Sequence, residues 1–235
     1  MKTRFLILTL ASVFITQSQI VRAEDVQDVS HEESVFVQVN YAYSLAGSSS
    51  WNDAATGSDK FVAVGSPEIE NMNSSGVGIG YNFTNFSGLL AYEISSGAKY
   101  KTGQITTQGG SVYTSKSVPL EIKSLMLEIE YPFKNYNSTE LFGSLGVGIS
   151  NIDVGRQTYM ASGSSTVAGL SNSQSNGSYR MGVGALYPIS ERVKIRFGFH
   201  YTDYGKVHTK TIASEEKFSF RIRSTNVHLG LRWSL

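Results

Sequence analysis

The chain has 235 residues, a formal net charge of +1 and no cysteine. The length allows one sizeable domain or two small ones, and the missing cysteine excludes disulfides and thiolate metal sites. The charges are balanced, which argues against a nucleic-acid-binding protein because such proteins usually carry a clustered basic face.

The first residues predict a secretory signal peptide. Lys2 and Arg4 precede the apolar run FLILTLASVFI, and the later letters VRA predict cleavage after Ala23. This run is too short to span a membrane as a helix. Cleavage would remove three basic residues and no acidic one, so the formal charge would change from +1 to −2.

Two further segments follow the predicted cleavage site. Residues 24–33 are acidic and are expected to form a short periplasmic segment without fixed structure. Residues 34–235 form the predicted folded domain, and no stretch in it has the eighteen or so apolar residues of a membrane helix. Any membrane role of the exported chain therefore depends on strands.

Eight segments alternate between apolar and other residues with a period of two, which is typical of strands with two unlike faces. In chain order they are VFVQVNYAYSL, GVGIGYNF, LLAYEIS, SLMLEIEY, LFGSLGVGI, YRMGVGALY, VKIRFGFHY and NVHLGLRWSL. Their lengths suit a tilted strand that crosses a membrane in about nine to eleven residues.

The connections between these segments alternate in length. Short ones lie at 84–87, 132–138 and 188–192, and long polar ones lie at roughly 46–73, 97–118, 152–176 and 205–217. Pro132 and Pro188 suit short turns, where a missing N–H costs no ladder bond. The pattern predicts an up-and-down meander with all its long loops at one end, which in an outer-membrane barrel is the extracellular end.

The composition of the second face separates two exported all-β architectures. A soluble lipocalin-like barrel needs charged or long polar residues on its outer face. The second face here is mostly Gly, Ser, Asn and Ala, which suits the crowded interior of a membrane barrel. We therefore predict an all-β, eight-stranded antiparallel transmembrane up-and-down β-barrel in the cell outer membrane, closed because hydrocarbon tolerates no sheet edge.

Aromatic residues end the apolar face of every even-numbered strand. These residues are Phe83, Tyr131, Tyr187 and Trp233, and we predict that they form the lower aromatic girdle at the lipid head groups. A looser upper set comprises Tyr41, Tyr43, Tyr179, Phe199 and Tyr201. The simpler alternative is that Tyr and Phe favour strands in general.

The second face also carries several charges. The predicted lumen charge network comprises Glu93, Glu128, Glu130, Arg180, Lys194, Arg196, His200 and Arg232. Ion pairs across a narrow lumen would satisfy both signs, because a lone buried charge is costly. Two interpretations stay open: a polar plug that fixes the barrel shape, and a gated path for protons or small ions whose conductance would vanish on Glu128→Gln.

Catalysis has one weak candidate. His200 and Thr202 lie two apart, similar to a His-x-Ser pair in outer-membrane lipid A deacylases, but an activated hydroxyl also needs a group that orients the base. Alternation points His200 into the lumen, away from lipid. His208 and His228 make no metal cluster with it by spacing. We therefore predict no enzyme activity, no cofactor and no metal site.

The last strand raises a question of phase. Phe218, Phe220 and Ile222 are even-numbered, whereas the apolar positions from Val227 onward are odd. A bulge within 223–226 would reconcile the two series. So would a lipid-facing part that begins at Val227, with the earlier piece above the membrane.

The stretch GFHYTDYGKV, from Gly198 to Val207, and the closing VHLGLRWSL resemble the end of opacity-family porins and related small outer-membrane barrels. In that family strand seven commonly reads Gly-Tyr-Arg-Tyr, followed by a polar pair and Gly-Lys-Val. This sequence departs from the pattern at His200, where Arg is usual, and at Leu235, where the family and the barrel-assembly signal prefer Phe.

The resemblance implies a surface protein whose loops contact something outside the cell, in several relatives a host receptor or matrix protein. The residues expected to make such contacts are Trp51, Asp53, Lys60, Phe61, Tyr113 and Tyr159. The expected partners are outer-membrane lipid and lipopolysaccharide, the barrel-assembly machinery and a host surface or matrix protein. The alternatives are a structural membrane component, a narrow porin for ions or small molecules, and a lipid-modifying enzyme.

Overall fold

The computed structural model describes residues 33–53, 62–64, 68–70, 72–102, 104–106, 112–113, 115–136, 138–161, 164–168, 171–208 and 218–235. The regular secondary structure in these ranges is β-strand throughout. No helix within them is long and apolar enough to cross a membrane. The predicted signal peptide and residues 24–32 lie outside the described residues, as do Lys60 and Phe61.

Eight long strands form the wall of the barrel. In chain order they are β1 (Ser34–Asp53), β2 (Asn73–Asn82), β3 (Ser87–Thr102), β4 (Ser115–Tyr136), β5 (Thr139–Val154), β6 (Asn172–Pro188), β7 (Val193–His208) and β8 (Phe218–Ser234). Each pairs antiparallel with the next, and β8 pairs antiparallel with β1. The sheet is therefore a closed up-and-down ring, as the sequence predicts.

The seam between β8 and β1 closes that ring. Trp233 lies opposite Val37 and Leu229 lies opposite Tyr41. The backbone N–H of Leu235 donates to the carbonyl of Val35 at 2.9 Å. β8 pairs with β1 from Phe218 to Ser234. The seam therefore leaves no unpaired sheet edge for hydrocarbon to contact.

The two faces of the wall near the short turns have the polarity of a membrane barrel. Leu145, Val147 and Ile149 point outward from β5 and are between 64% and 68% exposed. The positions between them, Gly146 and Gly148, face the interior and adjoin side chains of β4. An apolar belt of this extent suits lipid rather than water.

The polarity inverts where the strands continue toward the long connections. There the inward side chains are apolar and pack into one cluster, called here the apolar plug. Its members are Ile69, Met72, Ala98, Tyr100, Val118, Leu120, Ile122, Ile152, Val154, Tyr204, Val207, Phe220 and Ile222, each no more than 5% exposed. The outward neighbours on β4 at this height, Glu121 and Lys123, form an ion pair at 2.8 Å. This part of the wall is built like a water-soluble barrel.

The predicted long connections are therefore partly strand. β1 extends to Asp53, and β5 and β6 enclose only 155–171 between them. The short strand Glu68–Glu70 bridges β1 and β3 above the end of β2. The prediction of long loops beginning near residue 46 is wrong because the polar outer residues belong to a wall that water contacts.

Further short strands lie beyond the ring. Gln157–Ala161 and Ser164–Ala168 form a hairpin that pairs with the start of β4. Val62–Val64, Gln104–Thr106 and Val112–Tyr113 form a separate three-stranded sheet. The connections at this end of the barrel therefore contain ordered sheet.

The apolar positions of β8 change from even to odd numbers without a bulge in β8 itself. The register shifts instead lie on the neighbouring strands, between Ser44 and Ala46 on β1 and between Asp203 and Gly205 on β7. Phe220 and Ile222 face the interior in the apolar plug. The bulge predicted within 223–226 of β8 is wrong, and the structure agrees with the alternative that the earlier piece lies above the membrane.

The two prolines occupy different positions. Pro188 is the last residue of β6, next to its short turn. Pro132 lies inside β4, which continues to Tyr136, and the register with β5 shifts between Pro132 and Lys134. The prediction that Pro132 belongs to a turn is wrong, and the irregular pairing accommodates the missing N–H.

Candidate functional site in the barrel interior

The interior charges are arranged in layers along the barrel. Nearest the short turns, Lys194 Nζ lies 3.5 Å from Glu140 Oε2, with the lysine side chain 30% exposed. This pair is partly hydrated. The prediction groups Lys194 with Glu128 and Glu130, but the structure gives it Glu140, which sequence analysis missed.

Glu130 on β4 binds two arginines. Arg196 Nε donates to Glu130 Oε1 at 2.9 Å, and Arg232 Nη2 donates to Glu130 Oε2. Arg232 also donates from Nε and Nη2 to Gln38 Oε1 at 2.9 and 2.7 Å. One carboxylate and one amide thus tie β4, β7, β8 and β1 together across the lumen.

Each of these two arginines lies over an aromatic ring. The Arg232 guanidinium is 4.1 Å from the centroid of Phe36, and that of Arg196 is 5.0 Å from the centroid of Phe142. Glycines make room for the rings, because a Cβ at Gly80 would lie 2.2 Å from Phe36 Cζ. The ring faces supply a cation–π contact to each buried charge.

Arg180 occupies the next layer. It donates from Nη1 to Glu93 Oε1 at 2.8 Å and to Glu128 Oε1 at 2.6 Å, and from Nη2 to Glu93 Oε2 at 2.5 Å. Its Nε donates to Thr202 Oγ1 at 3.0 Å. The fork geometry of the guanidinium therefore meets one carboxylate with two bonds and a second carboxylate with one.

Three arginines and three glutamates form this arginine–glutamate cluster: Arg180, Arg196, Arg232, Glu93, Glu128 and Glu130. Every member is at most 6% exposed. The charges cancel, and each ion has at least one partner of the opposite sign. Removing one member would leave an uncompensated buried charge, which is strongly destabilising.

A chain of hydrogen bonds lies beside Arg180. Ser224 Oγ donates to Asn226 Oδ1, Asn226 Nδ2 lies 3.1 Å from His200 Nε2, and His200 Nδ1 lies 3.0 Å from His228 Nδ1. An amide nitrogen only donates, so His200 Nε2 accepts and a neutral His200 carries its proton on Nδ1. His228 then carries its proton on Nε2, a buried atom with no hydrogen-bond partner among the described residues.

Hydroxyls fill the same region on the facing strands. Ser124 and Ser150 share a hydrogen bond at 2.8 Å, and Ser150 donates to Ser178 Oγ at 2.9 Å. Ser178 donates onward to Met126 Sδ at 3.3 Å. This serine row lies between the charged layers and the apolar plug, in which the rings of Tyr100 and Phe220 stack with centroids 4.3 Å apart.

The structure places all eight residues of the lumen charge network on the inner face. The network contains further members that sequence analysis did not include: Gln38, Thr202, Asn226 and His228, all buried. Each lies on an inward position of the same alternation, so the signal for their placement was present. The pairing of particular guanidiniums with particular carboxylates had no sequence signal, because it depends on barrel register.

The four residues predicted for the lower aromatic girdle lie on the outer face. Phe83, Tyr131, Tyr187 and Trp233 are all exposed. Phe86, Phe133 and Tyr136 are exposed at the same end of the barrel, and Phe86 stacks on Phe83 at 4.5 Å. The girdle is thus wider than the even-numbered strand ends indicate.

The four predicted contact residues within the described ranges lie in strands. Trp51 and Asp53 belong to β1, Tyr113 to the short strand Val112–Tyr113, and Tyr159 to Gln157–Ala161. The expectation that these four lie in loops is wrong, because ordered sheet continues beyond the membrane. Their role as contacts stays a prediction.

The two residues of the catalytic candidate, His200 and Thr202, are buried in the barrel interior. His200 is 5% exposed and bonded to Asn226 and His228, while Thr202 is fully buried and bonded to Arg180. Both side chains point into the lumen, away from lipid. Within the described ranges, no group of three His, Cys, Asp or Glu side chains could hold a metal ion.

A closed antiparallel ring of eight strands with an apolar outer belt and an ionic interior defines a transmembrane β-barrel of the outer-membrane type. Residues 26–234 match the family model described as outer membrane protein beta-barrel domain. The chain belongs to this family. No curated protein has a sequence that matches it.

Several solved outer-membrane proteins are similar to this chain. OprG from Pseudomonas aeruginosa is 12% identical, with 90% of this chain and 99% of that one covered and a TM-score of 0.52. Neisserial surface protein A is 17% identical, covering 87% and 100%, with a TM-score of 0.46. Ail, the attachment invasion locus protein of Yersinia pestis, is 13% identical, covering 84% and 99%, with a TM-score of 0.36. These likenesses concern the fold.

Proposed function

We propose that this outer-membrane protein acts at the cell surface, with the barrel as a closed scaffold and the strands and connections at its long-loop end as the part that contacts a partner, as in adhesion. The observation that carries the proposal is the apolar plug. Its thirteen buried apolar side chains lie between the charged layers of the lumen and the long connections, so a solute that leaves the charged layers toward that end meets an apolar constriction.

The plug and the ionic layers together favour a scaffold over a narrow porin. Ions lose hydration energy when they enter an apolar constriction, and here such a constriction follows a cluster whose charges already have partners. A rigid barrel that displays variable connections is a common arrangement for binding. We also propose that the protein has no enzyme activity, since the hydrogen bonds that His200 and Thr202 make within the described residues link them to interior side chains.

The proposal includes a route to the membrane and a set of neighbours. A signal peptide is removed after Ala23, the barrel-assembly machinery reads β8 with its terminal Leu235, and outer-membrane lipid and lipopolysaccharide surround the wall. The long-loop end faces outward, since long loops are extracellular in this class of barrel. The partner proposed for that end is a host surface or matrix protein.

The test measures adhesion of bacteria that display the full chain to host-cell layers and to matrix-coated surfaces. A variant in which short Gly-Ser turns replace 54–67 and 155–171 keeps every strand of the ring and every member of the plug. A control variant changes only the short connection between β6 and β7. We expect binding to fall to the empty-vector level in the first variant and to stay unchanged in the control.

Correct assembly of each variant is checked by its heat-dependent migration on gels and by surface protease access. Unchanged adhesion by a correctly assembled shortened variant would contradict the surface-contact proposal. Loss of adhesion in the control variant would contradict it equally, because that turn lies at the opposite end of the barrel.

A further inference from the structure

Three outward cations lie close together on β7 and β8, just above the upper aromatic residues. They are Lys206 on β7 and Arg221 and Arg223 on β8, and with Asp203 they form what is called here the outer basic patch. Lys206 lies directly opposite Arg221 and Asp203 directly opposite Arg223. The adjacent residues Val207, Phe220 and Ile222 are buried in the plug, so the patch residues lie on the outer face.

Asp203 positions Arg221 and Arg223 by accepting hydrogen bonds from their Nε atoms. Arg221 Nε donates to Asp203 Oδ1 and Oδ2 at 3.0 and 2.8 Å, and Arg223 Nε donates to Asp203 Oδ2 at 3.1 Å. Asp203 is 1% exposed, while the arginine side chains are 33% and 36% exposed. The two arginines bind the carboxylate through their inner Nε atoms, and among the described residues their terminal Nη groups have no hydrogen-bond acceptor.

The position of the patch along the barrel axis indicates which part of the membrane lies beside it. Tyr179 Oη donates to Asp203 Oδ2 at 3.2 Å, and the Tyr179 and Tyr201 rings lie 6.3 Å apart just below. Outward tyrosines of a membrane barrel lie at the level of the lipid head groups. A group that meets the patch from the side is therefore part of a lipid head group in the outer leaflet.

The outer basic patch has an excess of positive charge. The patch carries three cations and one carboxylate, whereas on the opposite wall Lys123 lies 2.8 Å from Glu121 and 3.7 Å from Asp153. The guanidinium groups of Arg221 and Arg223 are oriented by one buried carboxylate. Such a pair suits phosphate, which accepts bidentate hydrogen bonds from guanidinium groups.

We propose that the outer basic patch is a binding site for a phosphate group of lipid A in the outer leaflet. Arg221 and Arg223 bind the phosphate oxygens through their Nη atoms, and Lys206 adds a third positive charge. The site rests on the outward orientation of the long-loop end given under the proposed function. It does not depend on any cell-surface partner, so failure of the adhesion test would leave it standing.

The test uses the full chain purified in a mild zwitterionic detergent, with native mass spectrometry to count bound lipid. The probes are diphosphoryl lipid A, enzymatically dephosphorylated lipid A and inorganic phosphate. The patch variant combines Lys206→Gln, Arg221→Gln, Arg223→Gln and Asp203→Asn, so no buried carboxylate loses its partner. The control, Lys99→Gln with Lys101→Gln, removes the same net charge of two from the outer face of β3.

We expect diphosphoryl lipid A to bind about tenfold more tightly than the dephosphorylated form. The patch variant should lose this preference, and the control should keep it. Equal binding of both lipids by the natural chain would overturn the site, as would an unchanged preference in the folded patch variant or equal loss in the control. Displacement of lipid A by equimolar inorganic phosphate would assign the patch to free anions instead and would also overturn it.

Should the fourfold change prevent folding, Arg221→Lys with Arg223→Lys keeps the charge and removes the forks. We expect that variant to retain binding but to lose most of the preference for phosphorylated lipid, because an ammonium group cannot donate in the bidentate geometry. A full preference in this variant would contradict the bidentate role of the arginines.

Discussion

At the residue scale, Glu130 is the carboxylate on which two buried arginines converge. Its oxygens bind Arg196 and Arg232 separately. Arg196 has a further contact with Glu128 at 3.7 Å. Within the part of the chain that the structure describes, the other partners of Arg232 are the neutral Gln38 and the Phe36 ring. Loss of this one charge would therefore affect Arg232 more than Arg196.

We predict that Glu130→Gln lowers the free energy of unfolding by about 3–5 kcal/mol, because it leaves a buried guanidinium without a counter-charge. The measurement is urea unfolding in lipid vesicles, followed by tryptophan fluorescence. Lys194→Gln is the matched control and should cost no more than about 1 kcal/mol, since its ion pair is partly hydrated. Equal losses of unfolding free energy in the two variants would show that burial does not determine how strongly these ion pairs stabilise the barrel.

The glycines beneath the aromatic rings offer a second residue-scale test. Gly80→Val would place a Cβ 2.2 Å from Phe36 Cζ, so the ring must move and Arg232 loses its stacking partner. We expect a loss of about 1–3 kcal/mol from this overpacking. Gly143→Val is the control, because nothing lies within 4 Å of a Cβ there. The same unfolding experiment decides, and a destabilised control with an unaffected Gly80→Val would refute the steric explanation.

At the element scale, five of the long strands have two parts with opposite polarity: β3, β4, β5, β7 and β8. On β4, Leu125, Leu127 and Ile129 point outward and are exposed, whereas Val118, Leu120 and Ile122 point inward and are buried. The odd positions are therefore lipid-facing in one part and water-facing in the other. A single strand thus contributes to a membrane belt and to a soluble-type core without changing its alternation.

We predict that Phe220→Ala destabilises only the plug part of the barrel. Phe220 stacks on Tyr100 at 4.3 Å in the plug, and truncation of a buried Phe costs about 3–5 kcal/mol. Hydrogen exchange should accelerate at the plug ends of β3, β4 and β8 and stay slow near the short turns, because local opening follows local packing. Leu231→Ala, on the lipid face of β8, is the control, and a uniform change along β8 in Phe220→Ala would contradict the division into two parts.

The sequence allowed the ring to be predicted because Val227, Leu229 and Leu231 alternate strictly with interior residues, and lipid selects that pattern. It also contained a signal for the plug in SVPLEIKS, where Val118, Leu120 and Ile122 alternate in the opposite phase. That signal resembles a soluble strand, and it lies between the predicted long connection, which ends at Val118, and the predicted strand that begins at Ser124. The partners of Arg180 had no such signal, because Glu93 and Glu128 reach it across the lumen from strands that are distant in sequence.

At the scale of the whole molecule, two unlike barriers follow each other along one axis. The arginine–glutamate cluster fills the membrane part, and the apolar plug fills the part beyond it. The first barrier opposes ions by its fixed and paired charges, and the second opposes them by excluding water. Either barrier alone should therefore suffice to keep the lumen silent.

This arrangement predicts a specific pattern of conductance in planar bilayers. The natural chain and Glu128→Gln should both be silent, since the substitution leaves the plug untouched. A variant with Tyr100→Ala and Phe220→Ala should also be silent, because the cluster remains. Steady, ohmic steps should appear only when these two changes are combined with alanine at all six positions of the arginine–glutamate cluster, a set that removes three arginines together with their three carboxylates.

The combined variant can be interpreted only if it folds, which its heat-dependent migration on gels establishes before the recording. Steps from the natural chain, abolished by Glu128→Gln, would instead identify an ion path through the cluster and make the plug a gate. Steps from a variant that carries the cluster changes without Tyr100→Ala and Phe220→Ala would place the whole barrier in the membrane part. Steps confined to the combined variant would show that two independent closures make this barrel a scaffold, leaving its outer strands and connections to carry the function.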